Sequence, residues 1–358
     1  MNIERVIKKF SDNNPGVDTS VLKKAFIFAD EAHAGQLRKN GEPYIQHPLH
    51  TAYMLAEIRA DLATVAAGIL HDVPEDTDRT IEEITKEFGS EIATLVKGVT
   101  KLGKIKYRGV ERYRENLKKM FLAMTSDLRV IFIKFCDRLN NLRTLDALPP
   151  EKKRRIAAET LEIYAPIAGL LGIERLKWQM EDICFKYLYP EKFNELEYRY
   201  EVEKKLERQR FFKKVKEILV PKLDKANLKY KIEARFKHLY SIFKKMQEKD
   251  RKFNEIYDVF ALRIIVPTVD DCYKVLGVIH SIWKPKPNRF KDYIAVPKPN
   301  GYRSLHTTIF GPEGKPTEFQ IRTQEMHEEA LYGIAAHWYY KSKNKYDGYQ
   351  QPKWVKEI

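Results

Sequence analysis

Cysteine is scarce in these 358 residues: Cys136, Cys184 and Cys272 lie 48 and 88 positions apart. That spacing offers neither a disulfide framework nor a CxxC metal knuckle, and it fits a reducing compartment. No run approaches the roughly 18 apolar residues of a membrane span. The N-terminus MNIERVIKKF lacks the apolar stretch of a secretory leader, so the expectation is a cytoplasmic protein with no membrane partner. A GxxxxGK[ST] phosphate loop is missing as well, which argues against an ordinary P-loop kinase. Internal repeats and low-complexity segments are also lacking.

Apolar residues make up 43% of the chain and aromatics 12%, enough to bury substantial cores. At roughly 150 residues per domain the length suggests about two domains. The net charge is +15, and its placement matters more than its size. Between Lys204 and Lys252 there are 18 Lys and Arg against 6 Asp and Glu. A field of that sign attracts phosphate, whether on a nucleotide or on a nucleic acid, unless the run is simply a solvated helix face.

The patterning changes partway along. From Asp18 to about Ala226 the apolar spacing is helical, with Val21, Leu22, Ala25, Phe26 and Ala29 opening the series. Thr80 reads as an N-cap for IEEITKEF and Gly89 as its stop. After Asn227 short β-rich runs appear (LKYKIEA, DVFALRIIV, DYIAVP, SLHTTIF, TEFQIR), separated by helical stretches Tyr240 to Glu248 and Asp271 to Trp283. The charged segment Pro190 to Arg210 has no Gly or Ser and reads as a connecting helix. The fold class expected is multidomain: an all-helical domain followed by an α/β domain.

In the helical half, HDVPEDT (His71 to Thr77) places an imidazole beside a carboxylate at the end of the apolar helix LATVAAGIL. Side chains at such a terminus can converge on one ion, although a capping Asp beside a buried His has the same sequence. His47 in EPYIQHP is a further candidate ligand. So is Asp137 in KFCDRLNNLRTL, a carboxylate interrupting an apolar helix and therefore needing a partner. Two imidazoles and two carboxylates suit manganese, zinc or iron, and an open position would let such an ion acidify a water.

HAGQLRKNGEPYIQHP, HDVPEDT and DRLNNLRTL, in this order, resemble the HD-type hydrolase domain of the RelA/SpoT homologue family, whose members make and degrade the guanosine alarmones ppGpp and pppGpp. The resemblance implies His47, His71, Asp72 and Asp137 as metal ligands, with manganese the usual ion. It implies Glu75 and Asp76 as the acidic pair acting on the attacking water. Arg38 and Lys39 would lie in the guanine-side loop, and Asn141 and Thr144 would contact the nucleotide. Pro74 and Asn140 depart from the residues common in the family, and neither removes a ligand.

In the second half, ARFKHLYSIFKKM and NRFKDYIAVPKPNGYRSLH distribute cations of the kind phosphate chains need, and Asp258 and Glu318 fall in strand-like runs that could seat magnesium. Tyr302 could stack a base or pack on the sheet. RFKHLYSIFKKM, DVFALRI, RFKDYIAVPKPNGYRSLHTT, EFQIRTQEMH and GIAAHWYYK are similar to the synthetase domain of the same family, a nucleotidyltransferase-like mixed sheet flanked by helices. On that resemblance, pyrophosphate moves from ATP to the 3′-hydroxyl of GDP or GTP. Asp258 matches the magnesium carboxylate and Glu318 the base. Arg235 and Arg263 match the adenine sandwich, Lys237, Ser241 and Lys245 the ATP phosphate contacts, and Tyr302 the guanine stack. Arg289, Lys291, Asn300 and His306 complete the matched polar shell. Asn288 stands where glycine is usual, leaving the loop conformation there open.

The expected organisation is a hydrolase domain with a helical extension over residues 1–190, a connecting helical region over 191–226 and a synthetase domain over 227–345. The expected function is a bifunctional alarmone synthetase and hydrolase using Mn2+ in the first domain and Mg2+ in the second. Two alternatives stay open: a member in which one domain only senses nucleotide, and an RNA- or ribosome-binding module using the Lys204 to Lys252 charge.

Overall fold

The computed structural model describes residues 1–103, 127–200, 205–249 and 260–333. These fall into two units, Met1–Cys184 and Phe185–Gly333. Asp258, the GIAAHWYYK motif beyond Gly333 and part of the expected connecting helix lie outside the described residues.

The first unit is helical throughout its described residues, apart from a short hairpin bridged at Leu37 and Pro43. Its helices are α1 (Ile3–Asn13), α2 (Ser20–Ala32), α3 (Gln46–Glu57), α4 (Leu62–Leu70), α5 (Val73–Asp76), α6 (Ile81–Gly103), α7 (Leu128–Arg143), α8 (Pro150–Glu159), a π-helical turn Thr160–Tyr164, α9 (Ala165–Leu170) and the start of α10 (Glu174–Leu188). α4 is the central rod, buried from Thr64 to Leu70 because almost every side chain in LATVAAGIL is apolar. Asp61 caps it by accepting from the Thr64 backbone N–H at 2.7 Å. Gly68 lets α3 pass close, since a Cβ there would collide with Leu55 Cδ1.

Thr80 does cap the next helix, and it does so as a capping box. Its hydroxyl accepts from Glu83 N–H at 3.2 Å while the Glu83 carboxylate accepts from Thr80 N–H at 2.7 Å. Gly89 corrects the expectation of a stop. With φ 85 and ψ 168 it kinks α6, which then continues to Gly103. Helix resumes because the apolar positions Ile92, Leu95, Val96 and Val99 beyond the kink are all buried.

The second unit carries the end of α10, α11 (Pro190–Tyr198), α12 (Lys205–Lys225), β1 (Lys231–Phe236), α13 (Leu239–Lys249), β2 (Phe260–Val266), α14 (Val269–Ile282), β3 (Lys291–Asp292), β4 (Leu305–Phe310), β5 (Pro316–Thr323) and α15 (Gln324–Tyr332). The sheet order is β1-β2-β5-β4-β3, mixed, with β2 and β5 parallel and the other neighbours antiparallel. DYIAVP is not the strand its composition suggests. After Asp292 the chain turns, because the Asp292 carboxylate accepts from the Ile294 and Ala295 N–H groups and ends the ladder.

Alternation along the strands makes two faces. Leu262, Ile264 and Val266, with Leu305, Ile309, Phe319 and Ile321, pack on Val215, Leu219 and Leu223 of α12 and Val275 and Ile279 of α14. The intervening residues form the other face: Glu233 and Arg235 on β1, Arg263 on β2, His306 on β4, and Glu318, Gln320 and Arg322 on β5. Register holds them in rows, with Arg263 opposite both Glu233 and Gln320, and Gln320 opposite His306.

Candidate functional site

In the first unit, α3 supplies His47, the end of α4 supplies His71 and Asp72, and α7 supplies Asp137. His47 Nε2 lies 3.3 Å from both Asp72 Oδ2 and Asp137 Oδ1, and His71 Nε2 lies 3.2 Å from Asp72 Oδ1. One donor atom each from His47, His71 and Asp137 falls within 4.8 Å of the others. The Gly68 carbonyl can only accept, so His71 Nδ1, 2.9 Å away, carries the proton. Nε2 is then a bare lone pair, fully buried, without a hydrogen-bond partner, and facing a carboxylate. Two lone pairs in that position repel unless a cation lies between them, so this donor set fits a divalent ion.

Electrostatics agree. Burial lowers the pKa of His71 and works in the same direction on His47, but there the hydrogen bonds and charges of Asp137 and Asp72 win and raise it. Burial opposes the charged forms of Asp72 and Asp137, yet the neighbouring imidazoles, and Lys134 beside Asp137, hold both carboxyls below the usual range. A buried place that draws in positive charge is what a metal seat requires.

The next ring of contacts was not visible in the sequence. The Tyr44 hydroxyl lies 3.0 Å from Asp72 Oδ2 and 2.5 Å from Asp76 Oδ2, tying a ligand candidate to the expected water-directing carboxylate. Its ring is stacked on His33 at 4.5 Å. Lys134 Nζ donates to Asp137 Oδ2 at 2.7 Å. The Asn140 amide, buried, stands 2.5 Å from His47 Nδ1. Asn141 donates to Asp137 Oδ1 at 2.6 Å and accepts from Arg38 at 2.7 Å. Glu75 stands at the rim, where desolvation, only partly offset by Lys134 and reinforced by Asp72 and Asp76, pushes its carboxyl up to about 6.

Beside this cluster opens a pocket of about 340 Å3. Arg38, Lys39, Asn141 and Thr144 all line it, together with Tyr44, Arg138, Leu148, Lys152 and Ile156. The hairpin holds the first two there: Arg38 N–H donates to Glu42 O, Tyr44 N–H to Gln36 O, and Gly41 turns at φ 84. Tyr44 and Lys134 lie inside the words EPYIQHP and KFCDRLNNLRTL without being singled out there; their one sequence signal was a polar residue three positions from a ligand candidate.

In the second unit the polar face of the sheet gathers Arg235, Arg263, His306 and Glu318. Glu318 Oε1 lies 3.3 Å from His306 Nδ1 and accepts from Gln320 at 2.9 Å. Burial works against its charge, but these bonds and the charges of His306 and Lys237 hold the Glu318 carboxyl down at about 2. Burial lowers the pKa of His306, against Glu318. The Tyr302 hydroxyl lies 2.7 Å from His306 Nε2. Tyr293, Tyr302 and His306 are mutually edge-on, with centroids 5.3–6.1 Å apart. Lys298 Nζ stands 5.2 Å above the Tyr302 ring.

The remaining candidates spread outward. Lys237 precedes α13, and Ser241 and Lys245 lie on it. Asn300 accepts from the Tyr302 N–H at 3.3 Å. Lys291 pairs with His306 in the ladder, while its side chain and that of Arg289 are exposed. Asn288 adopts φ 58, so it takes the left-handed conformation that glycine would take, as asparagine does more readily than most residues. Sequence reasoning missed Gln320, Tyr293 and Arg322. Arg322 is 2% exposed, donates to His327 Nδ1 at 2.7 Å and keeps its Nε without a partner; its signal was a third polar residue at alternate positions after Glu318 and Gln320 in the same strand run.

Residues 25–174 match the HD domain family, and residues 234–345 match the region found in RelA / SpoT proteins. The HD domain implies a divalent metal in the first unit, with His47, His71 and Asp137 as the fitting cluster. The chain is 46% identical, over all of its length, to a guanosine-3′,5′-bis(diphosphate) 3′-pyrophosphohydrolase of Aquifex aeolicus, of which it covers 51%. It is 52% identical, over 90% of its length, to a probable enzyme of the same name from Synechocystis sp., covering 42% of that protein. Over 89% of its length it is 47% identical to the bifunctional (p)ppGpp synthase/hydrolase SpoT of Escherichia coli, covering 46%. The chain thus spans about half the length of the curated relatives it matches. With an HD domain and a RelA/SpoT region in that order, and about half of its residues shared with such relatives along most of its length, the chain belongs to the RelA/SpoT homologue family.

Proposed function

We propose that this chain both makes and degrades (p)ppGpp in the cytoplasm, through a hydrolase domain over residues 1–190 and a synthetase domain over 227–345. What carries the reading is the juxtaposition of His71 Nε2, bare and buried, with His47, Asp72 and Asp137 in one unit, and of Glu318 with His306 and Tyr302 in the other.

In the hydrolase, Mn2+ is the proposed ion, and when bound it supplies positive charge and an acidified water. His47, His71, Asp72 and Asp137 would hold it. Tyr44 keeps Asp76 aimed by donating to its carboxylate, and Glu75, raised to about 6, is ionised and still appreciably basic near neutral pH. Arg38, Lys39, Asn141 and Thr144 form the wall on which the guanosine part would rest. Water attacks the phosphorus attached to the 3′-oxygen, that P–O bond breaks, and pyrophosphate leaves.

In the synthetase, Mg2+ is proposed to bind with help from Asp258 and to neutralise the ATP phosphates. Arg235 and Arg263 would hold adenine, Tyr302 guanine, and Lys237, Ser241, Lys245, Arg289, Lys291 and Asn300 the polar parts of the two nucleotides. The 3′-oxygen attacks the β-phosphorus, the bond to the bridging α–β oxygen breaks, and AMP leaves with it. A carboxylate held at about 2 is a weak base. In a loose phosphoryl-transfer transition state little proton abstraction is needed early, so Glu318 acts chiefly by orienting the hydroxyl.

The test is direct. Purified chain with labelled ATP and GDP under Mg2+ should yield ppGpp and AMP, and ppGpp under Mn2+ should yield GDP and pyrophosphate. Asp72→Ala should lower bound metal and abolish breakdown while synthesis persists. Unchanged metal content in that variant would remove Asp72 from the ligand set, and loss of both activities would deny that the sites are separate.

A further inference from the structure

Tyr302, His306 and Glu318 form one line across the polar face of the sheet, with the Tyr302 hydroxyl hydrogen-bonded to His306 Nε2 at 2.7 Å and His306 Nδ1 in contact with Glu318 Oε1 at 3.3 Å. From this we infer that His306 is a positioning residue through which the Tyr302 hydroxyl fixes the orientation of the Glu318 carboxylate. The inference rests on the proposed synthetase reading, in which Tyr302 contributes its ring to guanine and Glu318 its carboxylate to the 3′-hydroxyl.

The tautomer is set by the neighbours. Glu318 is ionised and can only accept, so the contact at 3.3 Å requires the proton on His306 Nδ1. Nε2 is then an acceptor, and the Tyr302 hydroxyl at 2.7 Å must be its donor. Each bond fixes the direction of the next: the hydroxyl proton points at Nε2, the imidazole N–H at Oε1. Gln320 donates to the same Oε1 at 2.9 Å, leaving the second Glu318 oxygen as the one available to a hydroxyl from substrate.

The line is also held sideways. Tyr293 packs edge-on against both the Tyr302 and His306 rings, at 6.1 and 5.3 Å, and its N–H donates to Ser304 O at 3.0 Å. His306 lies in β4 opposite Gln320 of β5, two positions from Glu318, so the backbone ladder sets its height. A side chain fixed by ladder, ring packing, a hydrogen bond and a close carboxylate contact is pre-organised, which is what a carboxylate acting by orientation rather than basicity needs. The same line ties the ring that would bind guanine to the carboxylate that would meet the ribose hydroxyl.

The experiment separates the Tyr302 hydroxyl from its ring. Tyr302→Phe keeps the π-face and removes the donor, so kcat for ppGpp synthesis should fall about 10-fold, the value of one hydrogen bond, with the KM for GDP within about twofold. His306→Asn keeps a donor near the Nδ1 position and should lose about as much as Tyr302→Phe. His306→Ala should lose distinctly more. Combining Tyr302→Phe with His306→Ala should cost no more than His306→Ala alone, because the hydroxyl acts only through the imidazole. Nitrogen-15 spectra of the wild-type chain should show His306 protonated at Nδ1. Additive losses, a Tyr302→Phe effect confined to KM, a Tyr302→Phe kcat equal to wild type, or a proton at Nε2 would each overturn the inference. A wild-type chain that makes no ppGpp would instead defeat the synthetase reading, and the tautomer would still decide whether the line exists.

Discussion

Tyr44 shows what a single atom does in the first unit. Its hydroxyl stands between Asp72 and Asp76, and its ring is stacked on His33. Tyr44→Phe keeps the ring and removes the donor. Hydrogen bonds to charged partners contribute about 1.5–3 kcal/mol, so ppGpp breakdown should slow by about one to two orders of magnitude while bound metal is retained. Parallel assays of turnover and metal content check this, and a variant that loses metal would make the tyrosine a support for the ligand instead. The residues matched by motif were legible because His47, His71, Asp72 and Asp137 sit in distinctive short words. Tyr44, Lys134 and Asn140 sit in the same words, but their contacts were not legible, because folding decides which neighbour a polar side chain meets, and their partners here lie 28, 3 and 93 positions away in the chain.

Elements carry the ligands only if they end and bend in the right places. Thr80 caps its helix as its sequence position suggests, and Asp61 caps α4 by the same local exchange of hydrogen bonds. Gly89 has the sequence signature of a stop and yet only bends α6, because a glycine permits a backbone conformation while the burial of later apolar residues decides whether helix resumes. Its φ 85, ψ 168 is almost exclusive to glycine, and a Cβ there would meet nothing within 4 Å. Gly89→Ala should therefore cost about 1–3 kcal/mol through backbone strain alone. Urea unfolding of the variant should show a lower midpoint at an unchanged slope. A midpoint equal to wild type would mean that α6 straightens without cost. DYIAVP fails in the opposite sense: its composition suits a strand, but Asp292 takes two nearby N–H groups for a turn.

At the scale of the whole molecule, the two units are built on different physics, a helical bundle around α4 and a sheet with one apolar and one polar face. Concentrating charge on a sheet face makes stability depend on pH. Glu318 is held at about 2 against an ordinary 4.5, so its contribution is complete above about 4.5 and is lost as pH falls toward 2. The loss is at most about 3 kcal/mol. Urea titrations of the full chain between pH 6 and 2.5 should show this acid sensitivity, and Glu318→Gln should flatten it. An identical slope in the variant would assign the effect to other carboxylates.

The sequence by itself determined the change from helical to strand patterning, the capping residues and the identity of the chemically loaded words, because periodicity and caps are written in neighbouring residues. It also determined that the second half is a mixed helix and strand domain. Tertiary structure alone decided which polar residues meet. Only the packing of α3, α4 and α7 brings His71 Nε2 to face Asp72 beside His47 and Asp137, and only the β4–β5 register sets His306 beside Glu318. The reason is that a side chain's chemistry belongs to the residue, whereas its proton, its orientation and its charge state belong to neighbours that the chain must fold to supply.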